Sequence, residues 1–379
     1  LNATGSENGL NPVIGMNDFC REPKGLNLAT LAAVTRVLDS GNYVLGGEVL
    51  SFEEAWANHC ETTYAVGVAN GMDAIEIILR ALDIGPGDEV VTTTMTAFAT
   101  VLGILRAGAI PVLADIDPET GLMSMESVQR CVSPSTKAIL LVHLYGQVKN
   151  MTKWESFCKD NELILLEDCA QAHSAREGGR VAGSFGQAAA FSFYPTKNLG
   201  AIGDAGAIVT SDAAVAERSR TLRNYGQSVR YHHVEIGLNS RLDEIQAAIL
   251  SERLRWLDTF TKQRQGVAGR YTVGISNEFV SPLAQPATTE SHVYHLFVVK
   301  TKHRDELQTH LMESGIQSYI HYPIPIHRQS PCVNVKRDPN GLLESELYAD
   351  QCLSLPCHPQ LTDDEVAQVI AAVNTFQVM

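Results

Sequence analysis

Leu163-Ile164-Leu165-Leu166-Glu167-Asp168-Cys169-Ala170-Gln171-Ala172-His173 is the stretch that decides the fold. Four apolar residues in succession end on two acids, so neither face of the segment is polar before its last step. Such a run reads as a strand covered by helices on both sides, the environment of a mainly parallel sheet. Comparable runs flank it: Val90-Val91-Thr92-Thr93-Thr94 after the turn signal Gly85-Pro86-Gly87-Asp88, then 110–115, 138–143, 189–193 and 207–210. Helical stretches lie between them, as at 73–82 and 151–161. Alternating β and α units predict an α/β fold, in which ligands gather at the carboxyl ends of the strands. Asp168 stands at such an end. A carboxylate closing an apolar strand needs a cation or hydrogen-bond donors, and a strand-end cap, a buried ion pair and a functional group all remain open readings.

The rest of the chain bounds the answer. At the roughly 150 residues typical of a domain, 379 residues allow two. With 45% apolar and 19% charged positions, a sizeable core forms and disorder is excluded as the main state. The net charge of −14 argues against a nucleic-acid or anionic-membrane binder, which needs excess positive charge. Eight scattered cysteines without a Cys-x-x-Cys pair argue against a zinc site and for free thiols in a reducing compartment. No metal is expected. No apolar run reaches the roughly 18 residues of a membrane span, and Leu1-Asn2-Ala3-Thr4-Gly5-Ser6 does not read as a signal peptide. The expectation is a cytoplasmic protein. After Ser240, apolar residues at 242, 245, 249, 250, 254 and 257 predict one long helix to about Thr261 joining two domains, 1–250 and 251–379. A strand over 293–299, a helix over 304–315 and a terminal helix over 362–376, capped by Thr362-Asp363-Asp364-Glu365, complete the smaller domain.

Three further features bear on chemistry. Ala69-Asn70-Gly71-Met72-Asp73-Ala74 opens a helix, and a glycine there lets backbone N–H groups approach a phosphate; it reads equally as a simple turn. Lys197, in Phe191-Ser192-Phe193-Tyr194-Pro195-Thr196-Lys197-Asn198-Leu199-Gly200, sits in a largely uncharged stretch after a strand. A desolvated lysine has a depressed pKa and attacks carbonyls. It lies 29 residues beyond Asp168, room for one helix or hairpin between adjacent strand ends. His321-Tyr322-Pro323-Ile324-Pro325-Ile326-His327 does not suit a helical metal site, because proline interrupts the helix, and fits a pocket wall.

Taken together these segments resemble the DegT/StrS-type sugar aminotransferases, pyridoxal-phosphate enzymes of the aspartate aminotransferase fold. The likeness runs from about Asn27 to Thr375 and includes Gly85-Pro86-Gly87-Asp88-Glu89-Val90-Val91, His143-Leu144-Tyr145-Gly146-Gln147, Gly237-Leu238-Asn239-Ser240-Arg241-Leu242-Asp243 and Leu353-Ser354-Leu355-Pro356-Cys357-His358-Pro359. The resemblance implies pyridoxal 5′-phosphate (PLP) attached to Lys197, with Asp168 on its pyridine nitrogen and Gln171 near its phenolic oxygen. It implies Gly71, Met72, Asp73 and Ser192 at the phosphate, with Asn239 reaching it from the other subunit of a homodimer with shared active sites. Threonine is common where Met72 stands. Many members stack an aromatic ring directly after the residue matching Thr96; here that position is Ala97, and Phe98 beside it is assigned to stacking.

The implied reaction carries an amine from L-glutamate to a nucleotide-linked keto-6-deoxyhexose, with His321, Tyr322 and His327 at the sugar. The His-Tyr-Pro-Ile-Pro-Ile-His segment resembles members that aminate a dTDP-linked 3-keto sugar; a 4-keto substrate is the alternative. Relatives that remove a sugar hydroxyl carry histidine in place of the lysine, so Lys197 argues against that class. A non-catalytic sensory role on the same fold would leave the Lys197/Asp168 pair without purpose.

Overall fold

The computed structural model describes residues 13–378; the opening Leu1 to Ser6, read above for targeting, lies outside them. Two helices, α1 (Lys24–Ser40) and α2 (Gly47–His59), precede a regular alternation. It runs β1 (Tyr64–Val68), α3 (Gly71–Ala81), β2 (Glu89–Thr93), α4 (Phe98–Arg106), β3 (Ile110–Ala114), α5 (Met125–Cys131), β4 (Thr136–Val142), α6 (Met151–Asp160) and β5 (Ile164–Asp168). A small hairpin, β6 (Arg176–Glu177) and β7 (Arg180–Val181), then leads to β8 (Ala188–Ser192), β9 (Gly206–Thr210) and α7 (Ala213–Leu222). The interval between Asp168 and Lys197 is thus filled by a hairpin.

In space the strands run β1-β9-β8-β5-β4-β2-β3. Strands β8, β5, β4, β2 and β3 are parallel, and β9 alone is reversed, antiparallel to both β1 and β8. Alternation along each strand sends its side chains to two separate cores. Along β5, Leu165 joins the core holding Trp56, Phe191 and Phe193, while Leu166 joins the one holding Ile75, Ile78 and Ile104. Burial on both faces is why these strands read as continuous apolar runs.

Beyond the sheet lie the hairpin β10 (Gln227–Val229) and β11 (His232–His233), then α8 (Glu244–Leu254) and α9 (Leu257–Gly274). The single helix expected over 240–261 is therefore two. The Trp256 N–H bonds to the Arg253 carbonyl at 2.9 Å, a tightened turn that ends one helix axis before the next begins. Leu250 and Leu257 enter the same core, so the apolar spacing runs on across the break.

A second body contains β12 (Ser281–Pro282), β13 (Phe297–Lys300), α10 (Arg304–Glu313), α11 (Leu343–Gln351), β15 (Cys352–Leu355) and α12 (Asp363–Thr375), while β14 (Lys336–Arg337) pairs back onto β3. The strand expected at 293–299 starts only at Phe297, because the Val293 and Leu296 N–H groups bond to the Gly146 and Tyr145 carbonyls instead. Thr362 and Glu365 form the expected capping box of α12. Ile14 lies in this body's core with Leu311, Ile316 and Val369, not with the sheet. Its N–H bonds to Gly315 at 2.8 Å, and its carbonyl accepts from the Gln317 N–H at 2.9 Å. Among the described residues no helix is long and apolar enough to cross a membrane.

Candidate active site

Because β8, β5, β4 and β2 are parallel, their carboxyl ends meet at one edge of the sheet, and the reversed β9 begins there. The last residues of β5 and β8, Asp168 and Ser192, line a cleft of about 390 Å³ with Val142, Gly71, Met72, Lys197 and Asp204. The α3 N-terminus forms one wall. Asn70 caps that helix, its side chain accepting from the Asp73 N–H at 2.8 Å. The Gly71 and Met72 N–H groups, in the first turn, have no intrahelical acceptor, an arrangement suited to an anion. Close approach is built in: a Cβ on Gly71 would stand 2.8 Å from the Ser192 Cβ.

Lys197 is carried by a loop folded back between β8 and β9. Its N–H bonds to the Tyr194 carbonyl, and the Ala201 N–H bonds to the Phe193 carbonyl, both at 2.8 Å. Burial lowers its ammonium pKa to about 8, with the opposing pull of Asp168 already included. The buried imidazoles around it are depressed as well. Burial, reinforced by the Lys197 charge, takes His173 down to about 3 and His321 to about 4, and His295 well below its usual range. The amine therefore faces neutral rings.

Asp168 closes β5 with a donor on each oxygen. Thr100, in the first turn of α4, donates to Oδ2 at 2.8 Å, and the Ala170 N–H donates to Oδ1 at 3.1 Å. Gln171 accepts from the Tyr145 N–H at 2.6 Å through its side-chain oxygen and donates to the Tyr322 hydroxyl at 3.2 Å. Burial first, then the charge of Asp168, pushes the Tyr322 phenol up to about 12. On the opposite side of β5, Glu167 bonds to His143 at 2.8 Å and accepts the Gly183, Phe185 and Gly186 N–H groups. With Cys169 these residues converge closely enough to suggest a metal site. The carboxylate instead anchors the loop before β8.

Lys197, Asp168, Gln171, Ser192, Gly71 and Met72 are thus brought together. Several other expected residues are not. Phe98 does not face the cleft: it lies on the Val101 side of α4, packed against Leu113, Ile326 and Leu342, while Ala97 and Ala99 face inward. Asp73 is engaged elsewhere, its N–H in the Asn70 cap and its carboxylate 3.3 Å from Arg106. His327 has no ring nitrogen for a ligand. Nδ1 pairs with the Thr94 hydroxyl and Nε2 with Glu346, both at 2.8 Å, in a buried position. His321 holds the Ser354 hydroxyl at 2.8 Å, leaving Tyr322 as the member of that segment bonded to a residue lining the cleft. Asn239 is exposed and outside its own chain's cleft.

Thr96, Thr100, Tyr194 and Asp204 also line the cleft, although none is a candidate site residue from the sequence. The signal available for the threonines was their position just after a strand, at the start of a helix. A larger hollow of about 730 Å³ lies over the ends of β3 and β4, but Lys149 and Arg130 in its wall are already paired with Asp117 and Asp338.

Comparison with known proteins gives this geometry a context. Residues 26–374 match the model of the DegT/DnrJ/EryC1/StrS aminotransferase family. The dTDP-3-amino-3,4,6-trideoxy-α-D-glucose transaminase of Streptomyces venezuelae is 44% identical over 352 residues, 93% of this chain and 93% of that protein. The dTDP-3-amino-3,6-dideoxy-α-D-galactopyranose transaminase of Aneurinibacillus thermoaerophilus is 45% identical over 344 residues, 91% of this chain and 94% of that protein. The crystal structure of S. venezuelae DesV in complex with a ketimine intermediate superposes with a TM-score of 0.93 at 42% identity, covering 96% of this chain and 98% of that one. With its site residues at one sheet edge and the match running nearly end to end, this chain belongs to the DegT/DnrJ/EryC1/StrS aminotransferase family.

Proposed function

We propose that the chain is a PLP-dependent aminotransferase that moves the amine of L-glutamate to the C3 ketone of a dTDP-linked 6-deoxyhexose. One observation carries the reading: a lysine of lowered pKa and a carboxylate with both oxygens fixed line the same cleft as a helix N-terminus. PLP is the cofactor of this family, and the donor set suits it. The first turn of α3 and the Ser192 hydroxyl would hold the phosphate. Lys197 would attach the group covalently, Asp168 would pair with its ring nitrogen, and Val142, Ala97 and Ile75 supply apolar walls. When bound, PLP supplies an electron sink for charge developing on the reacting carbon.

The remaining chemistry belongs to the protein. Lys197, neutral above about pH 8, would take the proton from the amino-acid carbon and return it to the carbon on the far side of the nitrogen, a 1,3-transfer. Apolar walls keep water from competing for that proton. Tyr322, protonated at every working pH and held by Gln171, offers a hydroxyl to the sugar. The amine would stay on the cofactor while the donor leaves as its 2-oxo acid and the nucleotide-sugar enters to receive it, so one cleft would serve both substrates in turn.

The choice of C3 rests on the relatives named above, both called 3-amino-sugar transaminases. A homodimer in which Asn239 reaches the partner's phosphate belongs to the proposal, supported by exposed Leu28, Leu31 and Leu38 along α1. So do the division near residue 250 and a cytoplasmic setting, the latter supported by eight unpaired cysteines. The test incubates the purified protein with glutamate and a panel of keto-sugar nucleotides, then locates the new amine by NMR. An amine at C4 refutes the regiochemistry, and no transfer to any member refutes the reaction.

A further inference from the structure

Asp168 does not hold its own orientation. The terminal torsion of an aspartate is soft, and an ionised carboxylate only accepts hydrogen bonds. Thr100 therefore directs its single hydroxyl proton to Oδ2. The Thr96 hydroxyl lies 2.9 Å from the Thr100 oxygen. With the Thr100 proton committed, that oxygen can only accept, so Thr96 must donate. The order Thr96 to Thr100 to Asp168 is thus forced by proton counting. Thr96 and Thr100 are 4% and 1% exposed, so water does not compete for these bonds, and successive hydrogen bonds polarise one another.

The titratable groups around Asp168 are its chain neighbours Glu167 and Cys169, Lys197, Tyr322, and the cleft residues His143, Tyr194 and Asp204. None of them bonds to its carboxylate among the described residues, so the donors are Thr100 from α4 and the Ala170 N–H from the chain just beyond β5. They act on different oxygens and together set the carboxylate plane.

We propose that Thr100, backed by Thr96, is a positioning residue for the reaction: it fixes the Asp168 carboxylate against the ring nitrogen of the cofactor. This rests on the function proposed above. A donor on each oxygen holds the carboxylate in one orientation, and a carboxylate so oriented would hold the proton on that nitrogen. Neither threonine touches the reacting atoms in this role.

The test uses PLP-loaded protein and four variants: Thr100→Val, Thr100→Ser, Thr96→Val and Asp168→Asn. Two quantities are read: the pH dependence of the bound cofactor's absorbance, and the single-turnover rate with glutamate. Thr100→Val is expected to shift the absorbance titration and slow the glutamate step roughly ten- to a hundredfold, the range of one hydrogen bond to a charged group. Thr100→Ser restores both, because the hydroxyl returns. Thr96→Val moves both in the same direction by a smaller factor. An unchanged titration and rate in Thr100→Val, beside large changes in Asp168→Asn, would overturn the positioning role while leaving the function intact. Unchanged behaviour in Asp168→Asn itself would overturn the function reading. If Thr100→Val fails to load cofactor, Thr96→Val decides: a wild-type titration and rate there overturn the relay.

Discussion

Replacing Gly206 by alanine tests whether the cleft depends on how closely β9 lies against the start of α3. Gly206 opens β9 opposite Val68 on one side and Ser192 on the other. A Cβ there would stand 2.4 Å from the Asn70 carbonyl carbon, 2.6 Å from its oxygen and 2.8 Å from the Gly71 nitrogen. Carbon contacts are comfortable from about 3.5 Å, so backbone must retreat by on the order of 1 Å. The strand is pinned by pairing on both edges, and the helix start therefore moves. Overpacking of this kind costs roughly 1–3 kcal/mol of stability. The displaced Gly71 and Met72 N–H groups are those proposed to hold the phosphate, where a hydrogen bond to a charged group contributes about 1.5–3 kcal/mol. Gly206→Ala should thus lower the urea midpoint of the apoprotein and weaken PLP binding by at least roughly tenfold. Gly203→Ala is the control, because its Cβ would meet only the end of the Gln246 side chain, at 2.8 Å; it should stay within about 0.5 kcal/mol of wild type. Stability lost with cofactor affinity intact would refute the link between β9 and the phosphate site.

Covalent capture of PLP by the apoprotein should slow about tenfold per pH unit below about 8 and level off above it. Burial has lowered the Lys197 pKa, so the neutral, attacking amine is abundant above that value and protonated below it; a flat stopped-flow profile from about pH 6 to pH 8 would contradict the assignment. Tyr322→Phe should impair the nucleotide-sugar half-reaction more than the glutamate half, followed separately by single-turnover absorbance, whereas His327→Ala should lower stability by roughly 1–3 kcal/mol and slow both halves alike. A selective effect of His327→Ala on the sugar half would put it back at the substrate. Asn239→Ala should weaken cofactor retention, and mixed dimers of Asn239→Ala with Lys197→Ala subunits should regain one site with both residues intact, restoring activity that neither variant shows alone. A fully active monomer in sedimentation would rule this out.

Much of the fold is written in local patterns. Runs such as Leu163 to Asp168 are apolar on both faces because two cores flank the sheet; a strand-end position draws attention to Asp168 and an uncharged loop to Lys197, and the family resemblance joins them into one site. Packing that no local pattern encodes is harder to read. The break between α8 and α9 leaves the apolar spacing undisturbed, since Leu250 and Leu257 enter one core from either side of it. Phe98 looks like a stacking ring by composition, yet it lies one helical step from Val101, which faces Leu113 and Ile326. The same periodicity, followed through, puts Ala97 and Thr100 on the cleft side. His327 resembles a ligand-binding histidine until its two partners are known. They lie 233 and 19 residues away in the chain, one of them far beyond any local pattern.

The pairing of Ile14 with residues 315 and 317 has a consequence for how the molecule is made. Met16, two residues on, bonds to Gln317 across a separation of 301 residues. At roughly 5–20 residues per second on the ribosome, the segment around Ile14 waits about 15 to 60 s for its docking partner to be synthesised. Strands β1 to β9, including β1 with its distant partner β9, have all been synthesised by residue 210, well before that. The part of the described chain that emerges first is therefore among the last to be seated, and Ile14 stays in water until the second body exists to receive it.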